Sequence, residues 1–239
     1  MLGVFGSELE SIHALERLTS LTFLDLSFNN LLRIENLDSL VKLEKLFLIQ
    51  NKISAIGNLS TLTCLTMLEL GSNRIRAIEG LDTLVNLESL FLGKNKITKL
   101  QNLDKLTNLK LLSIQSNRLT VIEGLEKLVN LEEVYLSYNG IEEMQGVDTL
   151  VNLVTLDLAN NRIKRVRNVS HLTKLEEFWF NHNQLEHWVD IDQLTQSRGI
   201  KTVYFEGNPI SRDPQYRRKL KLTLPSLTQI DATLVPRTM

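Results

Sequence analysis

Leucines recur along the chain in one fixed phase, L-x-x-L-x-L-x-x-N. Leu21, Leu24 and Leu26 close on Asn29, and Leu43, Leu46 and Leu48 close on Asn51. The pattern returns to close on Asn73, Asn95, Asn117, Asn139, Asn161 and Asn183, each step being 22 residues. A ninth copy, with Ile200, Val203 and Phe205, closes on Asn208 after a step of 25. The alternating x-Leu-x-Leu-x stretch predicts a short strand with its leucines on one face. A second apolar set follows each asparagine at spacings of three, as in Ile53, Ile56, Leu59 and Leu62. That spacing predicts a short 3-10 or α-helical return. Neither face of one copy can be buried alone, so the copies must stack.

The period and template are those of the leucine-rich repeat. The expected fold is α/β: a solenoid of 22-residue repeats with a parallel concave sheet, a short helical or 3-10 convex side and a C-terminal cap. Residues 1–20 read as an incomplete N-terminal repeat, 21–208 as the repeats and 209–239 as the cap. The closing asparagines should form a ladder, their amides satisfying backbone groups that the turns leave unpaired. Residues 188–194 carry a three-residue insertion, and the cap should hold a helix near residues 214–224.

Composition supports a template. Of 239 residues, 48 are leucine and 20 asparagine, with only 11 glycines and four prolines. The formal net charge of −1 argues against a nucleic-acid or membrane-surface binder. A single cysteine excludes an internal disulfide framework.

The positions that the template leaves free carry the functional information. In each strand they flank the core leucines and point to the concave face. The central free position reads Asp25, Phe47, Glu69, Phe91, Ser113, Tyr135, Asp157, Trp179 and Tyr204. With the positions two earlier and two later, this face holds six aromatics and six acids (Asp25, Glu69, Glu133, Asp157, Glu177, Glu206) against Lys45. The near-neutral chain thus hides an acidic, aromatic groove. Large apolar anchors set among selecting charges suit a protein partner. Nine rows at about 4.8 Å span roughly 40 Å, a globular partner's width.

Catalytic chemistry is poorly represented. His13, His171, His182 and His187 lack metal-ligand spacing, so neither a metal nor a cofactor is expected. Cys64 reads as a half-buried structural thiol. Asn58-Leu-Ser60 and Asn168-Val-Ser170 match a glycosylation pattern but fall on template positions. Arg217, Arg218, Lys219 and Lys221 read as the solvated face of a capping helix.

Phrases such as Leu68-Glu-Leu-Gly-Ser-Asn-Arg-Ile and Glu88-Ser-Leu-Phe-Leu-Gly-Lys-Asn-Lys-Ile, with Asp213-Pro-Gln-Tyr-Arg-Arg-Lys and Gln229-Ile-Asp-Ala-Thr in the cap, resemble the leucine-rich-repeat regulatory subunits of protein phosphatase 1. The likeness runs from about Leu9 to Val235. It implies a non-catalytic scaffold that binds the phosphatase catalytic subunit on the concave face. By resemblance the contacts carry over to Asp25, Phe47, Glu69, Phe91, Asp157, Glu177, Trp179 and Tyr204, and the face itself adds Tyr135. The resemblance further implies a phosphatase inhibitor as third partner, a monomer when free, and a place in nucleus and cytoplasm. It also implies further N-terminal repeats and an acidic leader, so the chain is expected to be a form short of them. The alternative function is a structural leucine-rich-repeat adaptor in a ribonucleoprotein or axonemal assembly.

Overall fold

The computed structural model describes residues 1–236 and divides into two compact units, Met1–Arg118 and Leu119–Met239. The first unit holds six short strands: β1 (Leu2–Gly3), β2 (Phe23–Asp25), β3 (Lys45–Phe47), β4 (Met67–Glu69), β5 (Ser89–Phe91) and β6 (Leu111–Ser113). Each pairs in parallel with the next, in register by template position: Leu24 lies opposite Leu46, Leu46 opposite Leu68, and Leu68 opposite Leu90. The residues opening the chain thus form the strand of an earlier turn, with Leu2 opposite Leu24. The second unit holds β7 (Glu133–Tyr135), β8 (Thr155–Asp157), β9 (Glu177–Trp179) and β10 (Thr202–Tyr204), parallel and in register, then β11 (Gln229–Ile230) and β12 (Thr233–Leu234). The β11–β12 pair is antiparallel, which turns the chain back at the end of the sheet.

The leucine columns are the core of each unit. Leu46, Leu48, Leu68, Leu70 and Leu90 are fully buried in the first, as are Leu136, Leu156 and Leu158 in the second. Each such side chain contributes on the order of 2 kcal/mol on burial. In β9, β10 and the residues just after them, Phe178, Phe180 and Phe205 replace leucines. Their rings pack on one another at 5.4, 5.8 and 6.1 Å. Its insertion forms a 3-10 helix, Trp188–Leu194, latched by the buried Asp190. Asp190 accepts two hydrogen bonds from the Arg165 guanidinium (2.7 and 2.6 Å) and one from the Val166 N–H.

The closing asparagines bond two turns at once. Asn73 accepts a hydrogen bond from the Ile53 N–H at 3.0 Å, and its amide donates to Leu48 O at 2.9 Å, both in the preceding turn. It also donates to Leu70 O and Gly71 O in its own turn. The N–H bonded to Oδ1 recurs at Asn29, Asn51, Asn95, Asn117, Asn139, Asn161, Asn183 and Asn208. The residue before each asparagine is left-handed: Phe28, Gln50, Ser72, Lys94, Ser116, Tyr138, Asn160 and His182 lie at φ between 51° and 58°. Such a conformation costs a non-glycine residue roughly 1–2 kcal/mol, which the bonds to the following asparagine offset.

Asparagine forms two further columns. Asn36, Asn58, Asn102 and Asn168 are left-handed and donate to a carbonyl one turn back, Asn58 to Ile34 O at 2.7 Å. Both glycosylation-like asparagines are therefore ladder members. On the outer side Asn86, Asn108 and Asn152 donate to Thr63, Val85 and Val129 carbonyls. The outer return itself is a chain of isolated turns, such as Leu40 N–H to Leu37 O and Leu43 N–H to Leu40 O. The bonds are 3-10 in type, but each run is too short to make a helix. Cys64 lies there and is exposed, not half-buried, because its position faces outward between Thr63 and Leu65.

In the cap, α1 (Tyr216–Thr223) buries Tyr216 and Leu220. Three of its four basic residues are both partly solvated, as expected, and tied to the cap by hydrogen bonds or an ion pair. Arg217 donates to Ile230 O, Lys221 donates to Pro225 O and Leu227 O, and Lys219 pairs with Asp213 while lying 4.9 Å from the Trp188 ring. Arg218 is exposed, and the other three keep part of their surface in solvent. No described helix is long and apolar enough to cross a membrane.

Replacing Asn95 by alanine should destabilise the chain by about 1–3 kcal/mol through unsatisfied buried backbone groups, read by chemical denaturation. Gly146→Ala should also destabilise it. A Cβ there would stand 2.4 Å from Ile122 O at φ +69°, whereas Gly57 has open space and should accept alanine.

Candidate protein-binding faces

Strand residues that alternate with the core leucines line the open face of each sheet. In the first unit the column runs Asp25, Phe47, Glu69, Phe91, Ser113, so acids and rings alternate row by row. Phe23 and Phe47 meet at 5.2 Å. Asp25 accepts from the Ser27 N–H at 2.9 Å, and Glu69 accepts from the Gly71 N–H at 2.7 Å. These carboxylates cap the strand end and are held in place by it. Burial pushes the Glu69 carboxyl above its ordinary value, against the opposing effect of the Gly71 bond.

In the second unit the column runs Tyr135, Asp157, Trp179, Tyr204. The Tyr135 and Trp179 rings sit edge to face at 6.2 Å although Asp157 lies in the row between them. The two rings close over Asp157, which is only 2% exposed and holds the Ala159 N–H at 2.9 Å. Trp179 and Tyr204 meet edge to face at 5.9 Å. The Tyr135 hydroxyl donates to Glu133 Oε2 at 2.6 Å, and Gln229 of the cap donates to the Tyr204 hydroxyl at 2.7 Å. Glu177 stands half-buried at the start of β9. The Trp179 indole N–H is buried without a partner among the described residues.

The structure thus places Asp25, Phe47, Glu69 and Phe91 on the face of the first unit, and Tyr135, Asp157, Glu177, Trp179 and Tyr204 on that of the second. The face aromatics are half-buried rather than openly exposed, and all but Phe91 pack on another ring. Two orienting contacts were not evident in the sequence: that of Glu133, already placed on the face, with Tyr135, and that of Gln229 with Tyr204. Gln229 lies in the cap, and only the pairing of β11 with β10, Thr202 opposite Gln229, brings it there. Histidines do not converge: among the described residues no group of three metal-ligating side chains exists. His182 lies against Gly207, and His171 bonds Val147 O at 3.1 Å.

Comparison with known proteins follows the same lines. A leucine-rich-repeat family model matches residues 117–237, half of the chain, and a two-copy leucine-rich-repeat model matches residues 41–83 and 65–105. Protein phosphatase 1 regulatory subunit 7 of Homo sapiens is 62% identical over 43 residues, and that of Danio rerio is 59% identical over 43. Protein phosphatase 1 regulatory subunit SDS22 of Schizosaccharomyces pombe is 50% identical over 48 residues. The human and Danio rerio matches span 18% of this chain and 12% of the relative. Among solved structures, a leucine-rich-repeat protein of Leptospira interrogans superposes with a TM-score of 0.75 at 26% identity, covering 91% of this chain and 62% of that one. Internalin C2 of Listeria monocytogenes superposes with a TM-score of 0.73 at 27% identity, covering 78% of this chain and 81% of its own.

The Tyr135 phenol is held well above its ordinary value, first by burial, then by its bond to Glu133 and the charges of Glu133, Glu177 and Asp157. Tyr216 is raised likewise by burial and Asp231. Both keep their protons in the folded chain past about pH 10, where an unfolded phenol loses its own, so stability should fall as pH rises beyond that value. At about pH 11 the folded chain's tyrosinate absorbance should therefore be the same with and without Tyr135→Phe, while the unfolded chains differ by one phenol.

Proposed function

Because the chain belongs to the leucine-rich-repeat family, we propose that its open strand faces are its working surface and that it is a non-catalytic regulatory subunit of protein phosphatase 1. It binds the catalytic subunit through Asp25, Phe47, Glu69 and Phe91 on the first unit and Tyr135, Glu177, Trp179 and Tyr204 on the second. The observation that carries this reading is the ring row Tyr135–Trp179–Tyr204, packed edge to face at 6.2 and 5.9 Å beside Glu133 and Glu177. Rings fixed in this way lose little freedom on binding and make good anchors. Ring faces bordered by carboxylates suit a lysine or arginine of the partner. Asp157 acts from beneath the rings, adding negative potential and holding the end of the strand, rather than by direct pairing. The resemblance in sequence to named regulatory subunits, over 43 residues, supports the phosphatase as the protein partner. The proposal extends to an inhibitor bound to the same phosphatase and to action in nucleus and cytoplasm.

Titration calorimetry of the whole chain against the purified catalytic subunit tests the proposal. Trp179→Ala should weaken binding by about 2 kcal/mol or more with the circular dichroism spectrum unchanged. Unchanged affinity on combining Trp179→Ala with Phe91→Ala would rule out the strand faces.

A further inference from the structure

The first unit carries a second polar surface, on the flank where the chain leaves the sheet. The residue after each ladder asparagine is Lys52, Arg74, Lys96 and Arg118 in four successive turns. Their backbone N–H groups donate to Leu31, Ile53, Ile75 and Ile97 carbonyls at 2.8–2.9 Å, each one turn back, so the four stack in a column. Arg76 adds a charge two residues beyond Arg74, and Lys94 adds one in the turn before Asn95. All six are exposed or half-exposed, and none forms an ion pair among the described residues. The solvent-facing positions between them include Ser54, Ala55, Ala77 and Thr98, and the carboxylates of the four rows are Glu79 and Glu123.

The second unit handles the same flank differently. There Arg162 and Lys164 share a shallow cavity with Glu142 and Glu143 of the preceding turn, so opposite charges interleave. Arg165 is taken up by Asp190. Unbalanced charge is thus a property of the first unit's flank and not of the repeat.

We propose that this flank docks an acidic segment of a protein partner, a short extended stretch rich in aspartate and glutamate. Rows about 5 Å apart give the column a length of roughly 15 Å, the reach of about five extended residues. Arginine forks at Arg74, Arg76 and Arg118 match carboxylates in paired hydrogen bonds. Single-stranded nucleic acid is the poorer fit, because binding it relies on rings for base stacking and the rows from residue 50 to 57, 72 to 79 and 94 to 101 contain none. The surface is separate from the strand faces, so a partner could use both.

Fluorescence anisotropy with a labelled deca-glutamate peptide and the whole chain at low ionic strength tests this, with deca-thymidine as the competing probe. Arg74→Glu, Arg76→Glu and Lys96→Glu together should weaken peptide binding about tenfold or more, and added salt should weaken it in the unmodified chain. All three positions reach solvent, and circular dichroism checks that the fold is kept. Lys164→Glu in the second unit should leave binding unchanged. The proposal is overturned if deca-glutamate does not bind, if Lys164→Glu costs as much as the triple variant, or if deca-thymidine binds more tightly. None of these readouts involves the phosphatase, so they stand apart from the fate of the strand-face proposal.

Discussion

The asparagine that ends each strand is the constraint on which the other features of the fold depend. One amide joins an N–H of the preceding turn to carbonyls of both turns, and it does so where the core begins. An aspartate could not replace it, having no N–H to give. The bond set holds the preceding residue left-handed, whatever its side chain, and so directs the chain off the sheet at the same angle in every repeat. Leucine packing supplies most of the stabilisation. The amides decide that each leucine meets the equivalent leucine of the next turn, and the register follows from that.

Once the register is fixed, so are the open faces. A residue beside a core leucine must stand in a column with its counterparts, which is why acids and rings alternate along the first unit and rings close over Asp157 in the second. Several face carboxylates spend one oxygen on an N–H two residues on, which fixes their direction before any partner arrives. The faces are therefore built as rigid as the strands that carry them. Such pre-ordering reduces the entropy lost on association.

Much of this was legible in the chain. The 22-residue period, the strand positions, the ladder, the insertion at 188–194 and the cap helix all follow from spacing alone. The helix occupies Tyr216–Thr223 within the stretch expected to hold it. Other features were hidden for identifiable reasons. Apolar spacing of three does not distinguish a helix from tandem turns, because both repeat Ile-x-x-Leu. The second and third asparagine columns were obscured because glycine takes some of the left-handed positions, as at Gly80 and Gly146, and lysine some of the outer ones. The hold of Gln229 on Tyr204 joins residues 25 apart across a repeat of unusual length, which no periodic reading reaches. On α1, sequence marks the positive charges but not the carbonyls that take them up.

The Trp188–Leu194 insertion shows what the template demands of any change in length. Three residues added within one repeat required a helix of their own, a buried aspartate with an arginine to hold it, and larger rings in the core nearby. Every ladder bond instead stays within one turn or reaches the turn before it, so adding or removing a whole repeat would leave each remaining amide with a complete set of neighbours. Chains of this kind can therefore vary readily in whole turns and only with local rebuilding in smaller steps, so the natural unit of variation among them is the repeat and not the residue.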